Sequence, residues 1–283
     1  MERLVETDLK KLNVIAMYFS GTGTTEKIVR EVAGEIYRLK GERGEGPDTI
    51  DFTPFENRKK SYVFGEKDIL VFGVPVIAGR VPNVLLPFLE TIEGNGALAV
   101  PVVLYGNRNF DDALIELRNI LEERGFHTVA AGAFIGEHSF SRKLAAGRPD
   151  KEDLKIADGF AADICGKLAE GSLRTPVKVD GQEPLRPYYK PRDRKGNHIN
   201  ILKVKPKLDE SKCTKCGICA EVCPMGSIKK DAPGVVDGIC IKCCGCEKKC
   251  PEGALYFDDP GYLYHKEELE LGYPDRKEPK LFL

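Results

Sequence analysis

The sequence contains no tryptophan, only four histidines and three methionines, and no long apolar run. Charged or polar residues interrupt every hydrophobic stretch well before the roughly 18 residues that a membrane-spanning helix needs. The chain has 43 basic and 44 acidic residues, so no overall field favours nucleic acid or a membrane surface. We therefore expect neither nucleic-acid binding nor membrane insertion.

The N-terminus, Met1-Glu2-Arg3-Leu4, lacks the apolar core of a secretory signal. We therefore expect a cytoplasmic protein, in which cysteines stay reduced. In that compartment a dense cysteine pattern indicates metal ligation rather than disulfides. The histidines are scattered and form no metal-binding pair or nucleophile motif: His127, His138, His198 and His265.

Apolar runs alternate with segments of helical periodicity along the N-terminal half. Strands are predicted at 12–19, 48–53, 68–74, 97–105 and 128–135. Helices are predicted at about 28–39, 82–92, 112–124 and 150–170. Asp111 or Asp112 is expected to cap the third helix, which Gly125 ends. This alternation is typical of a mostly parallel, doubly wound α/β sheet.

The pattern changes near residue 172, where proline and basic residues begin to dominate. We divide the chain into a doubly wound α/β domain at 1–171 and an extended connector at 172–207. A small cysteine-rich α+β module follows at 208–258. The remaining tail, 259–283, ends in Leu281-Phe282-Leu283, whose apolar character suggests that it docks back on a domain.

Eight of the ten cysteines form two copies of one pattern, with two, two and three residues between successive cysteines and a proline after the fourth. This spacing is the one by which bacterial two-cluster ferredoxins hold 4Fe–4S clusters. In that arrangement the fourth cysteine of each run ligates the other cluster. We therefore assign cluster one to Cys213, Cys216, Cys219 and Cys250. We assign cluster two to Cys240, Cys243, Cys246 and Cys223.

Structural zinc is the alternative interpretation of these cysteines. Zinc sites usually use two separated pairs of ligands, and two uninterrupted runs of four fit that pattern poorly. Cys244 lies between two ligands of the second run and is interpreted as a non-ligand thiol. Cys165 is interpreted as a small buried hydrophobic residue on a helix.

A loop rich in small and hydroxyl residues joins the first strand to the first helix: Ser20, Gly21, Thr22, Gly23, Thr24 and Thr25. Amides at a helix N-terminus attract anions, and the glycines let a phosphate approach the backbone. The loop lacks the lysine of a nucleotide P-loop, and Glu26 stands where a dinucleotide fingerprint needs glycine. A terminal monophosphate fits best, although a tight turn with an N-cap is the simpler alternative.

This loop resembles the FMN phosphate loop of flavodoxins, and the order of elements resembles the flavodoxin strand order 2-1-3-4-5. Nearly the whole chain resembles the flavodoxin–ferredoxin fusion proteins of anaerobes. The resemblance implies FMN as a cofactor beside two 4Fe–4S clusters. It also implies that the loops after the third and fourth strands hold the flavin ring: Pro75, Val76, Ile77, Ala78, Gly79, Tyr105, Gly106, Asn107, Arg108 and Phe110.

Several roles within these ring loops stay open. Ile77 stands where related loops often carry tyrosine, so the residue that stacks on the flavin is not identified. Arg80 and Arg108 are either stabilisers of an anionic reduced flavin or solvated loop residues. His138 follows the fifth strand and is a candidate for contact with the flavin or a substrate.

The cofactors predict an electron-transfer flavoprotein that passes electrons between its clusters and FMN, with ferredoxin-type donors or acceptors and a reductase as redox partners. The alternative is an FMN-dependent reductase of a small molecule, fed by its own clusters. Whether the protein is an enzyme, whether it forms a homodimer, and whether the clusters face the flavin of their own chain stay open at this stage.

Two cubane clusters predict about eight irons and eight acid-labile sulfides in each chain. A protein purified and reconstituted without oxygen should therefore be brown, and iron and sulfide assays should reach these values. A colourless, zinc-containing protein would exclude the iron–sulfur interpretation.

Overall fold

The structure is a computed structural model that describes residues 3–5, 8–41, 44–171 and 173–283. Residue 172, at which the connector was predicted to begin, lies outside this range. The strands are, in chain order, β1 (Arg3–Val5), β2 (Asn13–Tyr18), β3 (Asp48–Asp51), β4 (Asp68–Pro75), β5 (Leu98–Tyr105), β6 (His127–Thr128), β7 (Ala131–Ile135), β8 (Leu173–Thr175), β9 (Lys207–Leu208), β10 (Leu255–Tyr256) and β11 (Lys280–Phe282). The helices are α1 (Thr24–Leu39), α2 (Leu86–Leu89), α3 (Ala113–Glu123), α4 (Lys151–Ala169), α5 (Ile218–Glu221), α6 (Gly245–Lys248) and α7 (Pro260–Gly272).

The main sheet has the order β11-β7-β5-β4-β2-β3. Five of these strands are parallel to one another: β3, β2, β4, β5 and β7. Numbered among themselves, these five strands have the order 2-1-3-4-5, so the predicted flavodoxin-like fold class is confirmed. β4 and β5 are apolar along nearly their whole length, as strands covered on both faces must be. Parallel order also places the carboxyl ends of all five strands at one edge, where ligands bind in such sheets.

Each face of the sheet packs against helices and forms its own core. On one face α1 and α4 bury Ile28, Val32 and Phe160 against β2 and β5. On the other face Phe52, Phe72 and Phe88 contact one another, with ring centroids 5.0 and 5.4 Å apart. The apolar residues of α1 recur every three or four positions, and this periodicity fixes which side of the helix is buried.

Two predicted elements differ from the observed ones. The helix predicted at 82–92 is only a 3₁₀ turn followed by the single turn of α2. A continuous helix from residue 82 would place Pro87 in its interior, where proline lacks the amide needed for the helical hydrogen bond. The strand predicted at 128–135 is split into β6 and β7. Pro101 of β5 lies level with that interruption, so its missing amide costs no ladder hydrogen bond there.

Asp112 precedes α3, as predicted, but its carboxylate does not cap the helix. It accepts hydrogen bonds from the backbone amides of Gln182 and Arg186 and from the guanidinium of Arg186. Asp112 is fully buried. The connector is therefore fixed to the N-terminal domain at this carboxylate rather than left as a free linker.

Both ends of the C-terminal half also return to the N-terminal domain. β8 pairs antiparallel with β1, just after the predicted domain boundary at 171. β11 pairs antiparallel with β7 and so forms an added edge strand. Within the tail, α7 is a helix that the sequence analysis did not predict. The cysteine-rich module between them is small, with β9 and β10 as a two-stranded sheet and α5 and α6 after the cysteine turns.

The start of α4 is stabilised by a buried ion pair between Arg148 and Asp153. Asp153 is fully buried and also accepts a hydrogen bond from the Asp150 amide, which completes a capping box. The Arg148 guanidinium donates a second bond to the carbonyl of Lys277 in the tail, 2.6 Å away. This pair therefore joins the helix start to the returning tail.

Replacing Asp153 with alanine should lower stability by about 3–5 kcal/mol, because Arg148 would remain as a buried charge without its partner. Glu152→Ala is the matched control, since the side chain of Glu152 is 77% exposed. Thermal unfolding followed by circular dichroism should show a much lower midpoint for D153A than for E152A. Equal midpoints would contradict the role of the ion pair.

Candidate functional site: a phosphate-type loop beside two cysteine sets

The loop predicted to bind phosphate joins β2 to α1 at the carboxyl edge of the sheet. The hydroxyl of Ser20 accepts hydrogen bonds from the amides of Gly23 and Glu26, each at 3.1 Å. Ser20 thus stabilises the helix start from outside, while Gly23 itself has a left-handed backbone with φ of 96°. That conformation favours glycine, because a β-carbon would be strained there.

The remaining amides of this loop are available to an anion. In the described part of the chain, no protein acceptor lies within hydrogen-bonding distance of the amides of Gly21, Thr22, Thr24 and Thr25. The hydroxyls of Thr22 and Thr24 lie 3.4 Å apart, and Thr25 is buried beside Gly73. A tight turn with an N-cap needs only the Ser20 hydroxyl. The extra amide and hydroxyl donors fit a phosphate group.

The first predicted ring loop, from Pro75 through Val76 to Gly79, forms a tight turn after β4. The amide and carbonyl of Ile77 bond to the carbonyl and amide of Arg80 at 3.0 and 3.2 Å, and Ala78 and Gly79 have positive φ values. The Ala78 carbonyl accepts a hydrogen bond of 2.8 Å from the amide of Tyr189 in the connector. The connector therefore covers the tip of this loop.

The second predicted ring loop, from Tyr105 to Phe110, is covered by the tail. Asn107 is 2% exposed, and its side-chain amide donates to the carbonyls of Tyr273 and Asp275 at 2.7 and 2.8 Å. Its Oδ1 atom is buried without a hydrogen-bond partner among the described residues. A buried polar atom of this kind requires a donor, and a polar ligand edge at this loop would supply one.

The two loop arginines have intramolecular partners. Arg80 forms a two-pronged ion pair with the buried Glu116, with contacts of 2.6 and 2.7 Å. Arg108 pairs with Asp111 and lies over the ring of Tyr189, 4.6 Å from its centroid. Arg80 thus neutralises a buried carboxylate, and Arg108 anchors the connector's tyrosine beside the second ring loop.

His138 packs against this same loop. A β-carbon on Gly106 would lie 2.9 Å from the Cα atom of His138, so only glycine permits the close approach. The Nδ1 atom of His138 accepts a hydrogen bond from the Phe140 amide at 3.1 Å. Burial and the positive charge of Lys248 lower the pKa of His138 to about 3, so the ring is neutral at pH 7.

The first cysteine set surrounds one cavity in the C-terminal module. Cys213, Cys216 and Cys219 line it from the first run, and Cys250 lines it from the end of the second run. This is the combination assigned to cluster one. Cys216 is exposed, whereas Cys219 is buried, so one side of this cavity faces the protein surface.

The second set combines Cys240, Cys243 and Cys246 with Cys223. Burial raises the pKa of the Cys243 thiol to about 11 and raises that of Cys246 further, and the charges of Cys223 and Cys240 act in the same direction on both. The four sulfur atoms therefore share one electrostatic neighbourhood. Buried thiolates need a compensating positive charge, which metal coordination supplies.

Among the described residues, no three cysteine, histidine or acidic side chains converge closely enough to ligate a single metal ion. A cubane cluster is larger than an ion, because its irons stand at separate corners and each takes one outer thiolate. Its four ligands therefore surround a space rather than a point, as the four cysteines of the first set surround their cavity.

The second cysteine run lies directly on the phosphate-type loop. A β-carbon on Gly21 would lie 2.8 Å from Cβ and 3.2 Å from Sγ of Cys243. A β-carbon on Gly245, in the same cysteine turn, would lie 2.5 Å from the carbonyl oxygen of Gly21. Glycine at both positions lets the two backbones touch, so the second cysteine set and the loop share one contact surface.

Two basic side chains fix this contact, and the sequence analysis identified neither. Lys248 of α6 donates to a carboxylate oxygen of Glu137 and to the carbonyls of His138 and Ser141, at 2.6–2.9 Å. Arg58 reaches from the N-terminal domain to the carbonyl of Pro224. Both are ordinary charged residues in the sequence, and no local signal marks them.

The two remaining cysteines belong to neither of the two ligand sets. Cys244 is 2% exposed, and its sulfur lies 3.4 Å from the hydroxyl of Tyr262 in α7. Cys165 is buried on α4 within the core of the N-terminal domain.

Among the described residues, no helix has the length and apolar character needed to span a membrane.

Comparison with known families identifies the first cysteine run. Residues 206–229 match the 4Fe-4S binding domain model. The chain thus carries a 4Fe–4S binding domain. No curated protein matches the chain.

Three solved structures that are similar to the chain have identities of 15–19% to it. They include a short-chain flavodoxin associated with a bacterial microcompartment, with 15% identity and a TM-score of 0.39 over 56% of this chain and 99% of that chain. A flavodoxin from Streptococcus pneumonia has 18% identity and a TM-score of 0.36 over 54% of this chain and 97% of that chain. A flavodiiron core from Synechocystis sp. has 19% identity and a TM-score of 0.37 over 57% of this chain.

The match spans only 37% of that flavodiiron core. The fold assignment here depends on the strand order of the sheet. A flavodoxin-like α/β domain and a C-terminal 4Fe–4S module are thus joined in one chain, as the sequence resemblance implied.

Replacing Thr22 with valine should weaken FMN binding at least tenfold, because a hydrogen bond to a charged phosphate is worth about 1.5–3 kcal/mol. Riboflavin, which lacks the phosphate, should bind the variant and the wild type equally. Thr49→Val, on β3, serves as the control. Flavin fluorescence titrations would measure both affinities, and an unchanged FMN affinity in T22V would exclude this loop as the phosphate site.

Proposed function

We propose that this protein is an iron–sulfur flavoprotein that transfers electrons between FMN and two 4Fe–4S clusters and exchanges them with redox partner proteins. The 4Fe-4S domain match at 206–229 supports the iron–sulfur half. The donors of the 20–25 loop and the flavodoxin-type sheet support the flavin half. When bound, each cluster exchanges one electron, and FMN exchanges one or two.

The contact of Gly21 with Cys243 is the observation that carries this proposal. It joins a phosphate-type loop to a cysteine of the second set without any intervening layer of protein. Electron transfer between two cofactors needs them close together and held at a fixed separation. A single chain that holds both replaces a diffusional encounter with a permanent one.

The chain's own residues enclose the proposed flavin site. Tyr189 covers the loop at Ala78, and the tail covers the loop at Asn107. These contacts attach the connector and the tail to the two ring loops at the carboxyl edge of the sheet. Because the second cysteine set lies against the loop of its own chain, the arrangement does not require a second subunit.

The exposed end of the module favours a carrier over a small-molecule reductase. Cys216 of the first set is exposed, whereas Cys243 of the second set is covered by the N-terminal domain. A partner protein would therefore approach the first set. Arg80 and Arg108 of the ring loops are paired with Glu116 and Asp111, so their charges are already neutralised within the chain rather than offered to a small-molecule substrate. A ferredoxin-type donor or acceptor or a reductase is the class of partner that this exposed end suits.

An anaerobic visible spectrum during stepwise reduction would test the proposal. The purified, reconstituted protein should show flavin and iron–sulfur bands, and acid-released flavin should be FMN. Stepwise reduction should bleach both the flavin bands and the cluster bands, each over the range set by its own potential. A protein without bound flavin after reconstitution, or without labile sulfide, would refute the proposal.

Replacing Gly21 with alanine should slow electron exchange between flavin and clusters at least tenfold, because the added methyl would push the Cys243 turn away from the loop. Gly34→Ala is the matched control, since a β-carbon there meets no atom within 4 Å. Stopped-flow absorbance after mixing with a reductant would measure both rates. Wild-type rates in G21A with both cofactors bound would show that this contact is not the route.

A further inference from the structure

Arg58 follows β3 and extends across the interface towards the second cysteine set. Its Nη1 atom donates to the carbonyls of Phe52 and Thr53 at 2.9 and 2.6 Å. Its Nη2 atom donates to the carbonyl of Pro224, which directly follows Cys223. These three carbonyls fix the guanidinium group between the two domains.

The charge of Arg58 has no carboxylate partner. Within the described residues, no acidic side chain lies at ion-pair distance from Arg58, although its neighbour Lys59 pairs with Glu56 at 2.7 Å. Among the acidic groups, Asp51 has the largest electrostatic effect on Arg58, followed by Cys223. Aromatic rings of Phe19 and Phe55 lie 5.4 Å from the guanidinium carbon.

A half-buried cation needs a counter-charge, because burial without one is costly. Burial lowers the pKa of Arg58, while the negative charges of Asp51 and Cys223 raise it. The second cysteine set is the largest concentration of negative charge next to Arg58, since four thiolates would ligate its cluster. Net charge around a cluster is one of the factors that set its reduction potential.

We propose that Arg58 raises the reduction potential of cluster two by stabilising the negative charge that one added electron brings. This inference rests on the proposed function, in which the electron comes from the reduced flavin or from cluster one. The effect is specific to cluster two, because Arg58 contacts the end of the first run at Pro224 and Met225 rather than the exposed ligand Cys216. Arg58 is therefore a positioning and tuning residue, contributed by the flavodoxin-like domain to the other domain's cofactor.

The same segment also touches the phosphate-type loop. The Thr53 hydroxyl accepts a hydrogen bond of 2.7 Å from the Ser20 amide, and the Thr53 carbonyl accepts one from Arg58. Thr53 and Arg58 therefore connect the loop by hydrogen bonds to Pro224, the residue after Cys223. Two other cations, Lys205 at the end of the connector and Lys242 in the module, act on Cys240 and remain in place when Arg58 is changed.

The test is an anaerobic redox titration of the reconstituted full chain with dithionite, followed by electron paramagnetic resonance. Arg58→Gln removes the charge, and Arg58→Lys keeps it. In R58Q the equilibrium constant for reducing cluster two should fall about tenfold, the size expected for a nearby charge at the effective dielectric constant of a protein interior. For a one-electron couple this corresponds to about 59 mV. R58K should restore most of the wild-type potential.

Cluster one, assigned by the loss of its signal in Cys216→Ser, should keep its potential in R58Q. Arg276→Gln is the matched control, because Arg276 also joins the C-terminal half to the N-terminal domain but pairs with Asp150. If R58Q does not fold, Arg58→Met removes the charge and retains apolar contact with Phe19 and Phe55.

An unchanged potential of cluster two in R58Q or R58M, or equal shifts of both clusters, would overturn this inference alone. Absence of labile sulfide or flavin from the wild type would instead refute the proposed function.

Discussion

The close packing of the Cys243 turn on Gly21 is the constraint on which the arrangement of the two domains depends. Two backbones can approach this closely only where neither carries a β-carbon, and both Gly21 and Gly245 meet that condition. The same glycine therefore serves two purposes. It leaves room for a cysteine turn on one side of the loop and, in the proposed function, for the FMN phosphate on the other.

Polar contacts at the rim hold this apolar and backbone contact in register. Lys248 and Arg58 cross the interface in opposite directions, and each donates to backbone carbonyls of the other domain. The connector is fixed at the buried carboxylate of Asp112, and the tail is fixed at Asn107 and by the pairing of β11 with β7. Several separate attachments thus bring one small module to a defined edge of the sheet, which suits a protein whose proposed function requires a constant distance between cofactors.

Burial divides the two cysteine sets into different environments. The second set lies under the N-terminal domain, where burial raises the pKa of Cys243 and where Arg58 supplies a positive charge. The first set includes the exposed Cys216. Since exposure and nearby charge both influence cluster potentials, two identical cysteine runs acquire different electrostatic surroundings from their positions alone.

Local sequence determined the features that depend on short spacing. The cysteine runs, the hydroxyl-rich loop, the apolar strands and the capping box at Asp150 are set by residues within a few positions of one another. The alternation of strands with helices predicted a parallel, doubly wound sheet, and the resemblance to flavodoxins supplied its strand order. The tertiary structure decided the rest, because it depends on contacts between residues far apart in the chain. It made Asp112 an anchor for the connector instead of the expected cap, and it shortened the helix at Pro87. It also split the predicted strand after Thr128 and placed Arg58 beside the second cysteine set. The sequence around a charged residue does not show whether its side chain will face water or lie beside a buried cysteine. Only the packing of the two domains distinguishes these cases.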